Sequence, residues 1–217
     1  MIQTEKKGGF NLLSKKKTIE LIEAMGELFP DAECELVHRN TFELLISVLL
    51  SAQATDVSVN KITPNLFEKY PTPEAFSKAP IEDIMEMIKT INLYRNKSKY
   101  IKACSQKLVA DFNSEVPQTR KELESLLGIG RKSANVVLSV AFKIPAIAVD
   151  THVERVAKRL GICSPDATVR EVEETLMKKL PPEMWSIAHH RLIFFGRYQC
   201  TARSHDHTVC LQLLGQK

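Results

Sequence analysis

The chain has 217 residues, with 30 Lys and Arg against 26 Asp and Glu for a formal charge of +4, and is 44% hydrophobic. That apolar content excludes a disordered chain and supports one compact domain or two small interlocked ones. No apolar run, Leu44 to Leu50 and Ile144 to Val149 included, approaches the roughly 20 residues that span a bilayer, so no membrane association is expected. The charge permits a polyanionic partner without naming one. No apolar stretch of adequate length follows Lys6, Lys7 and Lys15 to Lys17, so no signal peptide is expected. Cysteines at 34, 104, 163, 200 and 210 are too sparse for a disulfide framework and point to a reducing, cytoplasmic setting.

Helical signals run along the chain. Ile19, Ile22, Met25 and Phe29 recur at three- and four-residue spacing and stop at Pro30. Asn40 stands as an N-cap, with Glu43 three positions on, ahead of the apolar run 44–50. Asp56 can cap a further helix that meets Pro64, and Pro73 and Pro80 sit where a first helical turn tolerates proline. Thr119 with Glu122, and Thr168 with Glu171, have capping-box spacing. Ala134, Val137, Leu138 and Ala141 form one apolar stripe; Val153, Val156, Ala157 and Leu160 form another, ended by Gly161. Ile147 to Val149 alone looks strand-like and is too short for a sheet. The reading is an all-α protein of about ten helices.

The densest signal is Leu126-Leu127-Gly128-Ile129-Gly130-Arg131-Lys132-Ser133-Ala134-Asn135. A helix from about Thr119 ends at Gly128 and another begins near Arg131, joined by the turn Gly128-Ile129-Gly130. Two glycines allow positive φ and close approach, and leave helix-start amides exposed to an anion, while Ile129 plugs the core. Such a hairpin suits a DNA phosphate without reading bases. The alternative is a plain αα-hairpin whose glycines only make the corner, with Lys132 a solvated lysine. Downstream, Pro145-Ala146-Ile147-Ala148-Val149-Asp150-Thr151-His152-Val153 brings an apolar stretch to an acidic stop. Asp150 reads either as the cap of the next helix or, returning beside Lys132, as the electrostatic partner of a lysine nucleophile.

The hairpin segment, the Ala-Val-Asp-Thr-His-Val that follows, the run from Leu49 to Lys61 (LLSAQATDVSVNK) and Ile88 to Tyr94 (IKTINLY) together resemble the endonuclease III family of helix-hairpin-helix DNA glycosylase/AP lyases. The match runs in order from about residue 17 to 203. By that resemblance the fold is two helical lobes with a DNA-binding cleft between them: a six-helix lobe over 34–144 with the hairpin, and a second lobe from 1–33 plus 145–217. Lys132 is then the nucleophile and Asp150 the essential carboxylate. Gln53 and Leu93 enter the base stack with Ile91 nearby, and Gly128, Ile129, Gly130 and Arg131 form the DNA-binding hairpin. His152 matches a family position counted with the DNA-binding residues and orients the carboxylate or a backbone group; His189 and His190, apart from the resemblance, read as packing or capping residues, the usual fate of histidines without a ligand constellation. The function implied is excision of oxidised pyrimidines by nucleotide flipping and cleavage of the abasic strand through a Schiff base. The partner is double-stranded DNA carrying a damaged pyrimidine or abasic site, bound by a monomer. A mismatch-specific glycosylase of the same superfamily and a non-catalytic DNA-binding module are the alternatives.

The chain departs from the family at three places. Asn92 stands where glycine is frequent, and Leu127 where proline is common. The family's C-terminal C-x6-C-x2-C-x5-C pattern, which holds a [4Fe–4S] cluster, falls on Cys200, His207, Cys210 and Gln216. Two thiolates do not supply four ligands, so the expectation is no iron–sulfur cluster. A zinc site from Cys200, His205, His207 and Cys210 is the rival, disfavoured because the spacing crowds all four and matches no common finger.

Overall fold

In the computed structural model the structure describes residues 5–7, 10–203 and 206–215, with side chains from residue 12 onward. Among the described residues every regular element is a helix except one short hairpin, β1 (Glu5–Lys7) paired antiparallel with β2 (Phe10–Leu12). The segment 146–149 is fully buried but forms neither helix nor strand. The chain divides into two compact units, 34–144, and 1–33 with 145–217.

The unit made of both chain ends begins with α1 (Lys15–Leu28), which Ser14 caps by accepting from the Lys17 amide. The apolar face of α1, Leu21, Ile22 and Met25, joins a core with Val153, Val156, Leu176, Leu192 and Phe195. Those come from α9 (Thr151–Arg159), α10 (Val169–Lys179), α11 (Trp185–Phe194) and the π-helical turn Phe195–Gln199. Thr168 and Glu171 make the reciprocal capping box their spacing calls for. Two cations sew the two stretches of chain together. Lys179 Nζ donates to the carbonyls of Leu13 and, at 2.7 Å, Ile162, while Arg191 donates to Ile22 at 3.2 Å. A short helix, α12 (Thr208–Leu213), follows.

The contiguous unit is built around α2 (Thr41–Ser51), buried at every position from Phe42 to Leu50 as befits a helix apolar all round. Asn40 caps it, and the buried Glu43 is satisfied by the Arg39 guanidinium at 2.7 Å and the Arg39 amide at 2.7 Å. Around it lie α3 (Asp56–Lys69), α4 (Pro73–Lys78), α5 (Ile81–Met87), α6 (Tyr94–Asp111), α7 (Arg120–Glu124) and α8 (Arg131–Ala141). Three details differ from the sequence reading. Thr55, not Asp56, caps α3. The helix then continues through Pro64, giving up one amide donor while Val59, Thr63, Leu66 and Phe67 stay buried. And α7 stops at Glu124, four residues before Gly128. The Asn60 amide also acts as a surrogate peptide, accepting from Val37 N and donating to Glu35 O, which pins the loop that leads into α2.

Candidate functional site

The hairpin owes its shape to bonds that tighten before the glycines arrive. Thr119 accepts from the Glu122 amide to start α7, and then Ser125 and Leu126 donate to carbonyls only three residues back. The chain therefore leaves the α-helix early and reaches Gly128 as a turn. Gly128 has φ +88°, and a Cβ there would lie 3.0 Å from the Tyr100 side chain on α6, so conformation and space both demand glycine. Ile129 is buried and its amide donates to Leu126 O at 3.1 Å. Gly130 is different. Its φ of −96° suits any residue, and an added Cβ meets nothing within 4 Å. As the N-cap of α8 it has no side chain to offer the first-turn amides, which leaves the positive end of that helix open to an anion. Arg131 and Lys132 follow at once. Lys132 is exposed and makes no hydrogen bond or ion pair with a described residue. Arg120 Nε donates to the buried Asn135 at 2.8 Å, clipping α7 to α8.

Two further loops of the same unit carry strained backbones. Gln53, exposed in the four-residue turn between α2 and α3, has φ +54°. Leu93, at the N-cap of α6, has φ +59° and is 48% exposed. Left-handed conformations cost a non-glycine residue about 1–3 kcal/mol and persist where the surroundings over-determine them, often at functional positions. Asn92 beside Leu93 is exposed, and residues 89–96 line a shallow hollow. Ile91 is only 2% exposed and sits in the core beneath.

Asp150 belongs to the other unit and satisfies the capping reading outright. Its Oδ1 accepts from the amides of His152 at 2.9 Å and Val153 at 2.8 Å at the start of α9. Its Oδ2 accepts no hydrogen bond from a described residue, so capping leaves one carboxylate oxygen available. His152 thus helps orient Asp150 through its backbone, while its Nδ1 lies 3.3 Å from Arg155 Nη2. Arg155 and Gly196 escaped the sequence reading. Arg155 donates to Gly196 O at 2.7 Å and Cys200 O at 3.0 Å, and a Cβ on Gly196 would meet His152 Cβ at 2.9 Å. The π-helical turn is what brings that glycine so close; periodicity carries no signal for it. Lys97 was also missed, although it occupies the apolar stripe of α6 with Ile101, Cys104 and Leu108.

The model of the HhH-GPD superfamily of base excision DNA repair proteins matches residues 46–182. The chain is 56% identical to Endonuclease III of Bacillus subtilis (strain 168) over 193 residues, 89% of this chain and 88% of that one. It is 47% identical to Endonuclease III of Escherichia coli (strain K12) over 191 residues, 88% and 90% of the two chains. Among solved structures, a trapped Endonuclease III–DNA covalent intermediate superposes with a TM-score of 0.89 at 56% identity, covering 93% of this chain and 96% of that one. A thermostable thymine-DNA glycosylase at 24% identity and a TM-score of 0.79 covers 88% and 89% and shares the fold.

This likeness corrects the expectation that the chain has no iron–sulfur cluster. That expectation counted ligands alone. Identity at this level to Endonuclease III, a family of iron–sulfur enzymes, runs over most of the chain and overturns a cluster-free assignment. The donor set in the structure is partial. Cys200 and Cys210 are buried thiols in hydrogen-bond contact, and Arg159 donates toward Cys200 Sγ at 3.3 Å. Burial pushes the Cys210 thiol up to about 11, with the neighbouring Cys200 adding to the shift. Among the described residues no group of three or more His, Cys, Asp and Glu is placed to hold a metal ion. His205 and Gln216 lie outside the described residues. The described residues do not complete a ligand set, and no chemical step is routed through a cluster. None of the described helices is long and apolar enough to cross a membrane.

Proposed function

We propose, because the chain belongs to the HhH-GPD superfamily of base excision DNA repair proteins, that it is a DNA glycosylase with AP lyase activity acting on oxidised pyrimidines in double-stranded DNA. One observation carries this reading: 56% identity to Endonuclease III extends over nearly all of both chains. It acts as a monomer, in the cytoplasm, where its substrate lies.

The residues divide the chemistry. Flipping the damaged nucleotide costs a few kcal/mol, least at damaged pairs. Leu93, an exposed apolar residue fixed at a helix start, serves as the wedge, and Gln53 offers its amide to the orphaned base. Gly130 and the first turn of α8 hold a backbone phosphate, with Arg131 beside it. Ile129 and Ile91 anchor these two loops from the core.

Base loss develops positive charge on the sugar, which the free oxygen of Asp150 stabilises. The Lys132 amine attacks C1′; a C1′–Nζ bond forms as the C1′–N bond to the base breaks, and the proton lost from Nζ ends on the departing base. Loss of the ring C–O bond gives an imine, whose C2′ proton is then acidic. Its removal expels the 3′ phosphate with the electron pair of the C3′–O bond, and water hydrolyses the imine to return free Lys132.

The test is incision of thymine-glycol and abasic duplexes, with borohydride added to reduce the imine. The expected result is a cut strand and a covalent protein–DNA adduct on both. A protein that binds these duplexes yet leaves both intact is a binding module and ends the enzymatic reading.

A further inference from the structure

Lys97 is the least expected residue of the contiguous unit. It is 3% exposed, on the apolar stripe of α6, and its ammonium donates to Leu50 O at 2.8 Å. Burial lowers its pKa. A lysine in such a place needs a reason, since an uncompensated charge away from water is expensive.

The reason lies in how α2 ends. The amide that regular helix would aim at Leu50 O belongs to Ala54, and it donates instead to Ser51 O. That switch accompanies the left-handed turn at Gln53 and leaves the Leu50 carbonyl orphaned at the negative end of a buried helix. Lys97 satisfies it with a cation. The Lys97 side chain leaves α6 one turn after the other strained loop, since the Lys97 and Asn96 amides make the first-turn bonds to Leu93 O at 3.0 Å each. One helical turn further on, Tyr100 packs under Gly128. Leu93, Lys97 and Tyr100 stand at i, i+4 and i+7, so one face of α6 meets the wedge, the end of α2 and the hairpin.

We propose that Lys97 is a positioning residue, a buried strut that sets the spacing between Gln53 and Leu93 so that both enter the duplex in one concerted step. The inference rests on the reading of those two residues as the groups that fill the flipped-out gap. Lys97 acts from within the core and presents no surface to a duplex. Its effect is confined to lesions whose extrusion leaves a partner base to be stabilised.

The experiment compares wild type with Lys97→Met on two substrates, a thymine glycol paired in a continuous duplex and an abasic site in a one-nucleotide bulge without an opposing base. Single-turnover incision at the paired lesion is expected to fall about 30-fold, ~2 kcal/mol at 1.4 kcal/mol per tenfold. At the bulge, where flipping is already done, the loss stays within about threefold. With 2-aminopurine opposite the lesion, the fluorescence rise on binding is expected to be lost in the variant while affinity for undamaged duplex is retained. Equal losses on the two substrates mark a merely structural lysine and overturn the proposal, as does an unimpaired rate at the paired lesion. Should Lys97→Met fail to fold, Lys97→Gln, which keeps a donor without the reach, carries the same pair of outcomes. Failure of the wild type to cut either substrate counts against the enzymatic reading instead.

Discussion

Two helix starts carry the proposed chemistry, and they solve the same physical problem in opposite ways. Each α-helix begins with amides that lack intrahelical partners. At α9 the chain supplies the anion itself, because Asp150 Oδ1 takes two of those amides. At α8 the chain supplies nothing, because Gly130 has no side chain, and the exposed Lys132 stands one residue into the helix. The first start is closed by a carboxylate with one oxygen to spare. The second is left open, with cations beside it. A cap that is filled organises the protein, and a cap that is left empty organises a ligand.

The sharpest way to break this contrast is Lys132→Gln. It is expected to abolish borohydride trapping on an abasic oligonucleotide and to lower incision by about three orders of magnitude or more. Trapping at the wild-type level would remove Lys132 from the nucleophile's role. Next comes Asp150→Asn. Asparagine caps as well as aspartate, so thermal unfolding should barely move while base excision falls about 100-fold or more. Asp150→Ala should lose the same activity and, in addition, about 1 kcal/mol of stability measured by denaturant titration. If Asp150→Asn excises bases at the wild-type rate, the carboxylate is only a cap.

The two hairpin glycines separate more quietly. Gly128→Ala forces a side chain into φ +88° against Tyr100 and is expected to cost about 2 kcal/mol of stability. Gly130→Ala meets open space and should stay within about 0.5 kcal/mol of wild type in the same titration. Its effect should appear in duplex binding, as an affinity loss of about fivefold at fixed salt. A Gly130→Ala protein that unfolds early but binds normally would reverse the assignment of the two glycines.

Local rules carried the sequence reading a long way. Asn40, Thr119 and Thr168 cap their helices because the competing bonds are short in sequence, within three residues. Asp150 as a cap was legible for the same reason, while its second role came only through family resemblance. What escaped depends on contacts distant along the chain. Lys97 looks like a surface lysine until α2, some 47 residues earlier, offers it an orphan carbonyl. Pro64 looks like a stop until the core holding Val59, Leu66 and Phe67 keeps the helix going. Gly196 has no turn signature, because its reason is the Cβ of His152 on another helix. The cluster expectation failed differently: it weighed four positions against a likeness spread over the whole chain.

The division of the chain into an inserted unit and one made from both ends has a consequence for synthesis. Residues 34–144 form a contiguous unit, complete in sequence once residue 144 is made. The other unit is not, since the carbonyls of Leu13 and Ile22 wait for Lys179 and Arg191, more than 160 residues later. At about 5–20 residues per second, the intervening stretch of about 110 residues takes about 5–20 seconds to make. Throughout that interval Leu21, Ile22 and Met25 of α1 have none of their core partners. Until residues 145–217 are made, the apolar face of α1 lacks the helices that cover it in the structure.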